Sequence, residues 1–474
     1  MDRKTKIIAT IGPASSSLDV IRSLVLEGVN VARINFSHGS EQENIAAINN
    51  VRIINDELSV HTSILADLQG PKIRIGNMPK DGAKLINGAD FSLDTTIEMG
   101  SSKGAKITYL DLPKDVKPGE KILLDDGKII LEVVKTNLTT TISTKVIEGG
   151  ILFSKKGVNL PNSIISTPSL TQKDKHDLKV AIENNVEWIG FSFVRSAEDV
   201  VKLKNEMAAL NGSAKVIAKI EKPEAVAALN EILEVTDGVM VARGDLGVEI
   251  PLESVPIIQK DIVKKALMLA KPVIIATQMM ESMISSITPT RAEVNDVANA
   301  VMDGADAVML SGETSVGDNP IEVIKIMARI VNEVETNYAA LFNQEVVPTE
   351  NHARFITDSI CFNACRLAKR VQASAIITMT HSGYTAFKIS SQRPRSSIFV
   401  FSSNRRLLTS LSLLWGVKTF YYDKMVSTDD TIADIMKFLK NNALVQNGDL
   451  IINTASMPLG EEGKTNMLKL STIE

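Results

Sequence analysis

The feature that most constrains this chain is a recurring pair: a short apolar run that ends in polar or glycine residues, then a segment of helical period. The runs are KIIATIG (6–12), NVARINFS (30–37), SILADLQG (63–70), EWIGFSF (187–193), KVIAKIE (215–221), DGVMVARGD (237–245), PVIIATQ (272–278) and DAVMLSGE (306–313). Helical periodicity covers 196–210, 223–234, 255–270, 290–302 and 320–337. Strands that are apolar on both faces and joined by helices belong to a parallel sheet, because the crossover helices cover both of its faces. Eight such units predict a closed (β/α)8 barrel.

Two stretches break the rhythm. Between Asp67 and Thr171, KLINGADFSLDTT (84–96), EKILLDDGKIILEVV (120–134) and TTTISTKVIEGG (139–150) read as short alternating strands with Gly and Asp turns. After residue 345, SAIITMTHSGYTA (374–386), SIFVFSSN (397–404) and GDLIINTAS (448–456) read as strands separated by helices. The expected α/β organisation is a barrel over 1–69 and 170–345, a small β lid domain inserted over 70–169, and a C-terminal α/β domain over 346–474. A chain of 474 residues is too long for one core, which agrees.

Composition excludes several classes of function. Fifty-two basic residues against 56 acidic ones give a net charge of −4, without the footprint of a nucleic-acid or membrane-surface partner. No apolar run approaches the roughly 18 residues that span a bilayer. The start, MDRKTKIIATIGPASS, reads as a first strand rather than a signal peptide, so a cytoplasmic location is expected. Cys361 and Cys365 fall on one helical face and read as reduced core thiols. Five scattered histidines and two cysteines argue against a zinc or iron site.

In such barrels the chemistry sits where the strands end. The polar residues there are Arg33, Asn35, Ser37, Asp67, Lys219, Glu221, Asp245, Thr277, Ser311 and Glu313. Together they suit an anionic, phosphorylated substrate and a hard divalent cation such as Mg²⁺, which takes carboxylate oxygens and keeps waters or substrate oxygens elsewhere. Each also has a plain structural role open to it. Lys219 and Glu221, on one side of a strand, could be a buried ion pair. Asp245 could cap a helix, as could the Ser311–Thr314 segment. Thr277 could be a half-buried β-branched residue, and Asp67 a solvated turn residue. In the third domain, THSGYTA (380–386) has the form of a strand–loop–helix phosphate site and makes Thr380, Ser382, Gly383 and Thr385 candidates for an effector, with RPRS (393–396) adding charge.

These residues resemble the pyruvate kinase family closely. AKVIAKIEKPEAV (214–226) is similar to the family's signature around its active-site lysine, and IGPAS, RINFSHG, GPKIR, ARGDLGVE, ATQMMESM and PTRAEVNDVANAVMDGADAVMLSGET match it in order. The resemblance implies transfer of the phosphoryl group of phosphoenolpyruvate to ADP, giving pyruvate and ATP. It implies that Glu221 and Asp245 bind Mg²⁺, with Mn²⁺ as a substitute, and that Lys219 faces the transferring phosphoryl group. It further implies that Arg33 holds the phosphate, that Thr277 with the N–H groups of Gly244 and Asp245 holds the carboxylate, and that Asn35, His38, Arg74 and Lys173 lie near the nucleotide phosphates. A homotetramer and a phosphorylated allosteric effector are the family's habit.

The stretch SILADLQGPKIRIG departs from the potassium-dependent pattern, in which Asn35, Ser37 and Asp67 would ligate K⁺ with a Thr after the Asp and a Glu in the turn. Here Leu68 replaces the Thr and Lys72 replaces the Glu, so the Lys72 ammonium is expected to supply the charge and K⁺ not to be required; a solvated hinge residue is the plainer reading. Val316 stands where many relatives place a Lys near the nucleotide. Two other functions compete: a Mg²⁺-dependent aldolase or lyase on the same barrel, which would need neither Lys219 nor a lid, and a non-catalytic metabolite sensor.

Overall fold

The structure, a computed structural model, describes residues 3–161, 163, 165–348, 353–424, 427–457 and 465–474. Eight parallel strands close into a barrel: β1 (Lys6–Ile11), β2 (Val31–Asn35), β3 (Ser63–Asp67), β4 (Trp188–Phe191), β5 (Lys215–Ile220), β6 (Gly238–Ala242), β7 (Val273–Ala276) and β8 (Ala307–Leu310). Each strand pairs with its neighbours in sequence, and β8 returns to β1 with Lys6 opposite Ala307. This is the expected (β/α)8 barrel.

Side-chain alternation along the strands decides what the barrel presents. Ile8, Val31, Leu65, Trp188, Ile217, Met240, Ile274 and Ala307 point inward and form one apolar cluster. Their neighbours Ile7, Ile64, Ile189, Val216, Val239, Val273 and Val308 point outward and pack with the helices. Two residues on from the inward cluster come Thr10, Arg33, Asp67, Gly190 and Lys219 on β1 to β5, and Ala242, Ala276 and Met309 on β6 to β8, so the polar groups of the next inward layer gather on one side of the barrel. The apolar plug beneath them separates that layer from the other end of the barrel.

Helices start where a side chain can satisfy the first free N–H groups. Ser40, Thr171 and Thr290 each form a reciprocal box with the acid three residues on, Glu43, Asp174 and Glu293. The segment predicted as one helix over 223–234 is two, Pro223–Ala227 and Leu229–Val235, because Ala228 leaves helical geometry at φ −94°, ψ 21°.

The insert carries a six-stranded sheet and a two-stranded one, with its own buried cluster that includes Phe91, Leu93, Ile122 and Leu131. It leaves the barrel at Gly70, whose φ of +69° is easy for glycine alone and whose added Cβ would lie 2.7 Å from the Phe193 ring. The Gly70 N–H donates to Asp174 Oδ1 at 3.0 Å, so the same carboxylate that caps the Gln172–Glu183 helix anchors the hinge.

The C-terminal sheet has five strands in the order Val417–Tyr421, Ser397–Ser402, Ala375–Met379, Leu450–Ala455, Met467–Thr472, the last antiparallel. Cys361 and Cys365 are free thiols in its core. It meets the barrel end where the strands begin: Trp188 Nε1 donates to Ser410 O, and the buried Arg393 guanidinium pairs with Asp306 at 2.8 Å. Arg393 is therefore committed to the barrel, and Arg395 lies over the Phe342 ring, so the RPRS segment does not supply the charge expected of it beside the 380–386 loop.

Candidate active site

The polar layer at the strand ends is one bonded network. Arg33 on β2 donates from Nε to Asp67 Oδ2 at 2.7 Å, pairs through Nη2 at 2.6 Å, and reaches Thr10 Oγ1 at 2.9 Å. Lys219 on β5 lies 3.1 Å from Asp67 Oδ1 and 3.0 Å from Glu221 Oε1, and donates to Ser192 Oγ at 2.7 Å. Asp67 is thus no solvated turn residue: it is buried and holds both cations. Burial opposes charge on each group, but mutual attraction wins for two of them. Burial pushes the Lys219 ammonium down, and Asp67 and Glu221 outweigh it, so it stays firmly protonated. Burial pushes Asp67 up, and Lys219 and Arg33 bring it below the usual carboxylate range. Glu221 goes the other way, because burial and the nearby negative charge of Asp245 exceed the help from Lys219.

That excess of negative charge is what a divalent cation relieves. Asp67 Oδ1 and Glu221 Oε1 are buried atoms without a hydrogen bond of good geometry among the described residues, whereas Glu221 Oε2 accepts from Phe193 N at 2.7 Å. Asp245 sits in the first turn of the Arg243–Glu249 helix, half-buried, and does not cap it; the residue before the helix is Ala242. No group of three or more His, Cys, Asp or Glu side chains among the described residues is arranged to hold a metal. A pair of carboxylates fits Mg²⁺, which draws its remaining oxygens from water and substrate, and does not fit a closed protein cage.

Thr277 follows β7 with φ +68°, and Gln278 follows with +55°. A β-branched residue in that region costs on the order of 1–3 kcal/mol and persists only where its surroundings impose it. Arg243 imposes it, donating to Thr277 O at 2.7 Å while paired with Asp296 at 2.6 Å. The Thr277 hydroxyl donates to Ala276 O and accepts from Gly244 N at 2.8 Å. The Gly244 N–H is engaged in this conformation.

Around the mouth lies a cationic rim. Burial and then Arg74, Lys72, Arg33 and Lys173 lower the His38 pKa, which places four positive charges about one imidazole. Arg74 is anchored through Lys155 O at 2.9 Å, and Lys173 through Phe36 O at 2.6 Å and the Asp177 carboxylate. Asn35 faces Asp67 across the β2–β3 register and accepts from Ser37 N at 3.1 Å. Lys72 is exposed beside Asp126, Phe193 and Asp245 and makes no ion pair with Asp67, whose oxygens belong to Arg33 and Lys219.

Several residues of the expected constellation lie outside this network. Glu313 is buried and accepts from Ser311 N at 2.7 Å and Met280 N at 3.2 Å, so it braces two loops. Val316 is exposed beyond it. Thr380, Ser382, Gly383 and Thr385 sit in the C-terminal domain, where the Thr380 hydroxyl accepts from Gly383 N at 2.9 Å and Thr385 meets Thr465. Two residues were missed. Ser192 holds Lys219, and Gly190 gives Asp67 room: a Cβ there would come 3.1 Å from Asp67 Oδ1. The parity of EWIGFSF carries the Gly190 signal, since position 190 falls in the inward polar layer.

Comparison with known proteins agrees with this geometry. Residues 2–324 match the family model of the pyruvate kinase barrel domain, and residues 358–471 that of the pyruvate kinase alpha/beta domain. Pyruvate kinase of Geobacillus stearothermophilus is 42% identical over 477 residues, covering 100% of this chain and 81% of the relative. That of Corynebacterium glutamicum is 42% identical over 474 residues, covering 100% of this chain and 98% of the relative. The crystal structure of a pyruvate kinase from Cryptosporidium parvum superposes with a TM-score of 0.92 at 33% identity, covering 100% of this chain and 96% of that one. Fold, site and relatives define a phosphotransferase built on a (β/α)8 barrel. The chain belongs to the pyruvate kinase family, whose reaction moves the phosphoryl group of phosphoenolpyruvate to ADP.

Proposed function

We propose that this chain performs the family reaction with Mg²⁺ and without K⁺, using the strand-end network as its catalytic centre. The observation that carries the reading is Lys219, buried yet held charged between Asp67 and Glu221. A fixed ammonium aimed at the transferring group neutralises its oxygens without reorganising at the moment of reaction. Arg33 holds the phosphate, and Thr277 with the N–H groups of Gly244 and Asp245 holds the carboxylate. The Thr277 hydroxyl would release Gly244 to do so.

Glu221 and Asp245 would hold Mg²⁺, or Mn²⁺ in its place, which when bound supplies positive charge to the substrate oxygens. Asn35, His38, Arg74 and Lys173 receive the nucleotide phosphates. The lid over 70–169 turns on Gly70 and excludes water, which would otherwise accept the phosphoryl group. The barrel comprises 1–69 and 170–345, and the C-terminal domain 346–474 takes a phosphorylated effector at Thr380, Ser382, Gly383 and Thr385. We place the enzyme in the cytoplasm as a homotetramer.

Lys72 replaces K⁺ by adding to the positive potential at the mouth rather than by touching Asp67. An ammonium at the mouth raises the local potential and so disfavours a monovalent cation in the Asn35, Ser37 and Asp67 region without contact. ATP formation from phosphoenolpyruvate, ADP and Mg²⁺ in buffer free of K⁺ and NH₄⁺ tests both parts. Near-full activity there is expected. Activity only after KCl is added would remove the role of Lys72, and none in either buffer would remove the reaction.

A further inference from the structure

The helix Arg243–Glu249 carries Gly244 and Asp245 in its first turn and ends on a buried carboxylate. An acid in the last turn of a helix opposes the macrodipole, and burial disfavours its charge further, so Glu249 needs a reason beyond helix formation. Its partners supply one. Glu249 Oε1 accepts from Lys222 Nζ at 2.8 Å and from Asn159 Nδ2 at 2.9 Å. Lys222 directly follows Glu221 at the end of β5, and it too is buried. Asn159 belongs to the insert, where it ends the short strand Val158–Asn159 that pairs with Lys121–Leu124.

Among the described residues, the Asn159 bond is the one hydrogen bond that runs from residues 72–160 to the barrel. The other ties, Gly70 to Asp174 and Arg195 to the carbonyls of Ile165 and Thr167, lie on the two connecting segments. The insert also comes close to Val248: a Cβ on Gly127 would stand 3.7 Å from its side chain. Lys72, Asp126, Phe193 and Asp245 surround the same spot. One carboxylate thus joins the insert to the segment that follows Glu221 and to the helix that carries Asp245. A buried ion pair needed only for stability can often be replaced by apolar side chains without loss. Glu249 Oε2, moreover, is buried without a hydrogen bond among the described residues.

We propose that Glu249 is a positioning residue for the reaction. It pins the returning strand of the lid to the two segments that bear Glu221 and Asp245, so that closing the lid and setting those carboxylates are one event. This role rests on the reading of residues 70–169 as a lid that keeps water from the phosphoryl group. With the pin lost, water enters. Its oxygen bonds to phosphorus as the bond from phosphorus to the enol oxygen breaks, and a water proton passes to the enolate carbon. Pyruvate then leaves with inorganic phosphate in place of ATP.

The ratio of ATP to pyruvate formed by the full chain with Mg²⁺, phosphoenolpyruvate and ADP tests this, measured together with kcat, KM and the urea midpoint. The parent should give one ATP per pyruvate. Asn159→Asp sets two carboxylates face to face and leaves the pair of Lys222 with Glu249 whole. It should lower kcat by about tenfold, within the loss of up to about 10²-fold that a misplacement of about 1 Å brings, and the ratio should fall below one. Adding Glu249→Gln to Asn159→Asp should restore both values, because the new amide donates to the new carboxylate, which then faces Lys222. If either carboxylate variant fails to fold, Asn159→Ala decides, its ratio again expected below one. A merely structural Glu249 would move the urea midpoint in these variants and leave the ratio at one. That result, or a ratio in the double variant no better than in Asn159→Asp alone, would overturn the pin with the lid intact. A ratio well below one in the parent would remove the lid reading itself, and the pin with it.

Discussion

At the end of the barrel where strands begin, the carboxylates of Glu187, Asp237, Asp306 and Glu335 each have a finished job. Glu187 accepts from Ile64 N at 2.8 Å, Asp237 from Val216 N at 2.9 Å and Asp306 from Val273 N at 3.0 Å, each at or next to a strand's first residue. Glu335 serves Lys4 and Thr5 in the same way. At the other end, Asp67 and Glu221 are buried, yet one oxygen of each meets only the Lys219 ammonium, at 3.1 and 3.0 Å, without a hydrogen bond of good geometry. The first set satisfies backbone groups that the barrel leaves open, and it stabilises the fold. The second holds cations in place and leaves acceptor capacity for something that arrives later. Burial and charge alone therefore do not separate a structural carboxylate from a functional one. The unfinished bonding does.

Lys219→Met should have the largest effect. Losing one preorganised charge from a transfer site costs about 10²–10³-fold in kcat, and Lys219 is the central charge, so a loss of at least about 10³-fold is expected. The fold should survive, because Arg33 still pairs with Asp67 and Glu221, already pushed upward by burial, can take a proton. A variant that keeps a tenth of the parent's kcat would remove Lys219 from its role. Asp306→Asn is the mirror case. It weakens a buried pair with Arg393 and two backbone contacts, to Val273 and Trp415, and breaking such a pair costs about 3–5 kcal/mol. Urea unfolding should report that loss, with kcat per folded molecule unchanged. If kcat falls with stability intact, the division between the two ends is wrong.

The barrel was legible because its evidence is repetitive: eight apolar runs, each followed by helical period, leave one closed parallel solution. The short strands Gly104–Lys106 and Val158–Asn159 were not, since two or three residues carry no period to read. Val417–Tyr421 and Met467–Thr472 were overlooked as well; these flank the C-terminal sheet and are only partly buried, so their pattern is mixed. In the site, Arg33, Asp67, Lys219 and Glu221 could be named because charged residues inside apolar runs stand out. Glu313 stood out for the same reason and turned out to brace loops, because sequence cannot say whether a buried oxygen is already bonded. Ser192 and Gly190 were missed because their contribution is to Lys219 and Asp67, through contacts only the closed barrel creates.

Lys72→Glu reverses one charge at the mouth. Reversing one charge there should lower activity in K⁺-free buffer by about tenfold, equivalent to about 1.4 kcal/mol in the barrier, and KCl should restore most of it. Rates with and without KCl on the parent and the variant settle this. An unchanged ratio would leave Lys72 a hinge residue.

The smallest effect is also the most local. Burial, and then Arg74, Lys72, Arg33 and Lys173, disfavour the imidazolium of His38, so its pKa lies below the ordinary 6.5. The sign for stability follows: the unfolded chain binds this proton first, so His38 costs the fold nothing above about pH 6.5 and destabilises it as pH falls through that value toward the folded pKa. Phosphate-bearing ligands should reverse this, because an anion among the four cations favours the charged ring. The His38 resonance in a proton NMR titration should then move to higher pKa when ADP is added, and by linkage ADP should bind more tightly as pH drops from neutral. Lys72→Glu should raise the ligand-free value. If ADP leaves the His38 titration where it was, the nucleotide phosphates do not occupy this rim, and the cations assembled there answer to some other anion.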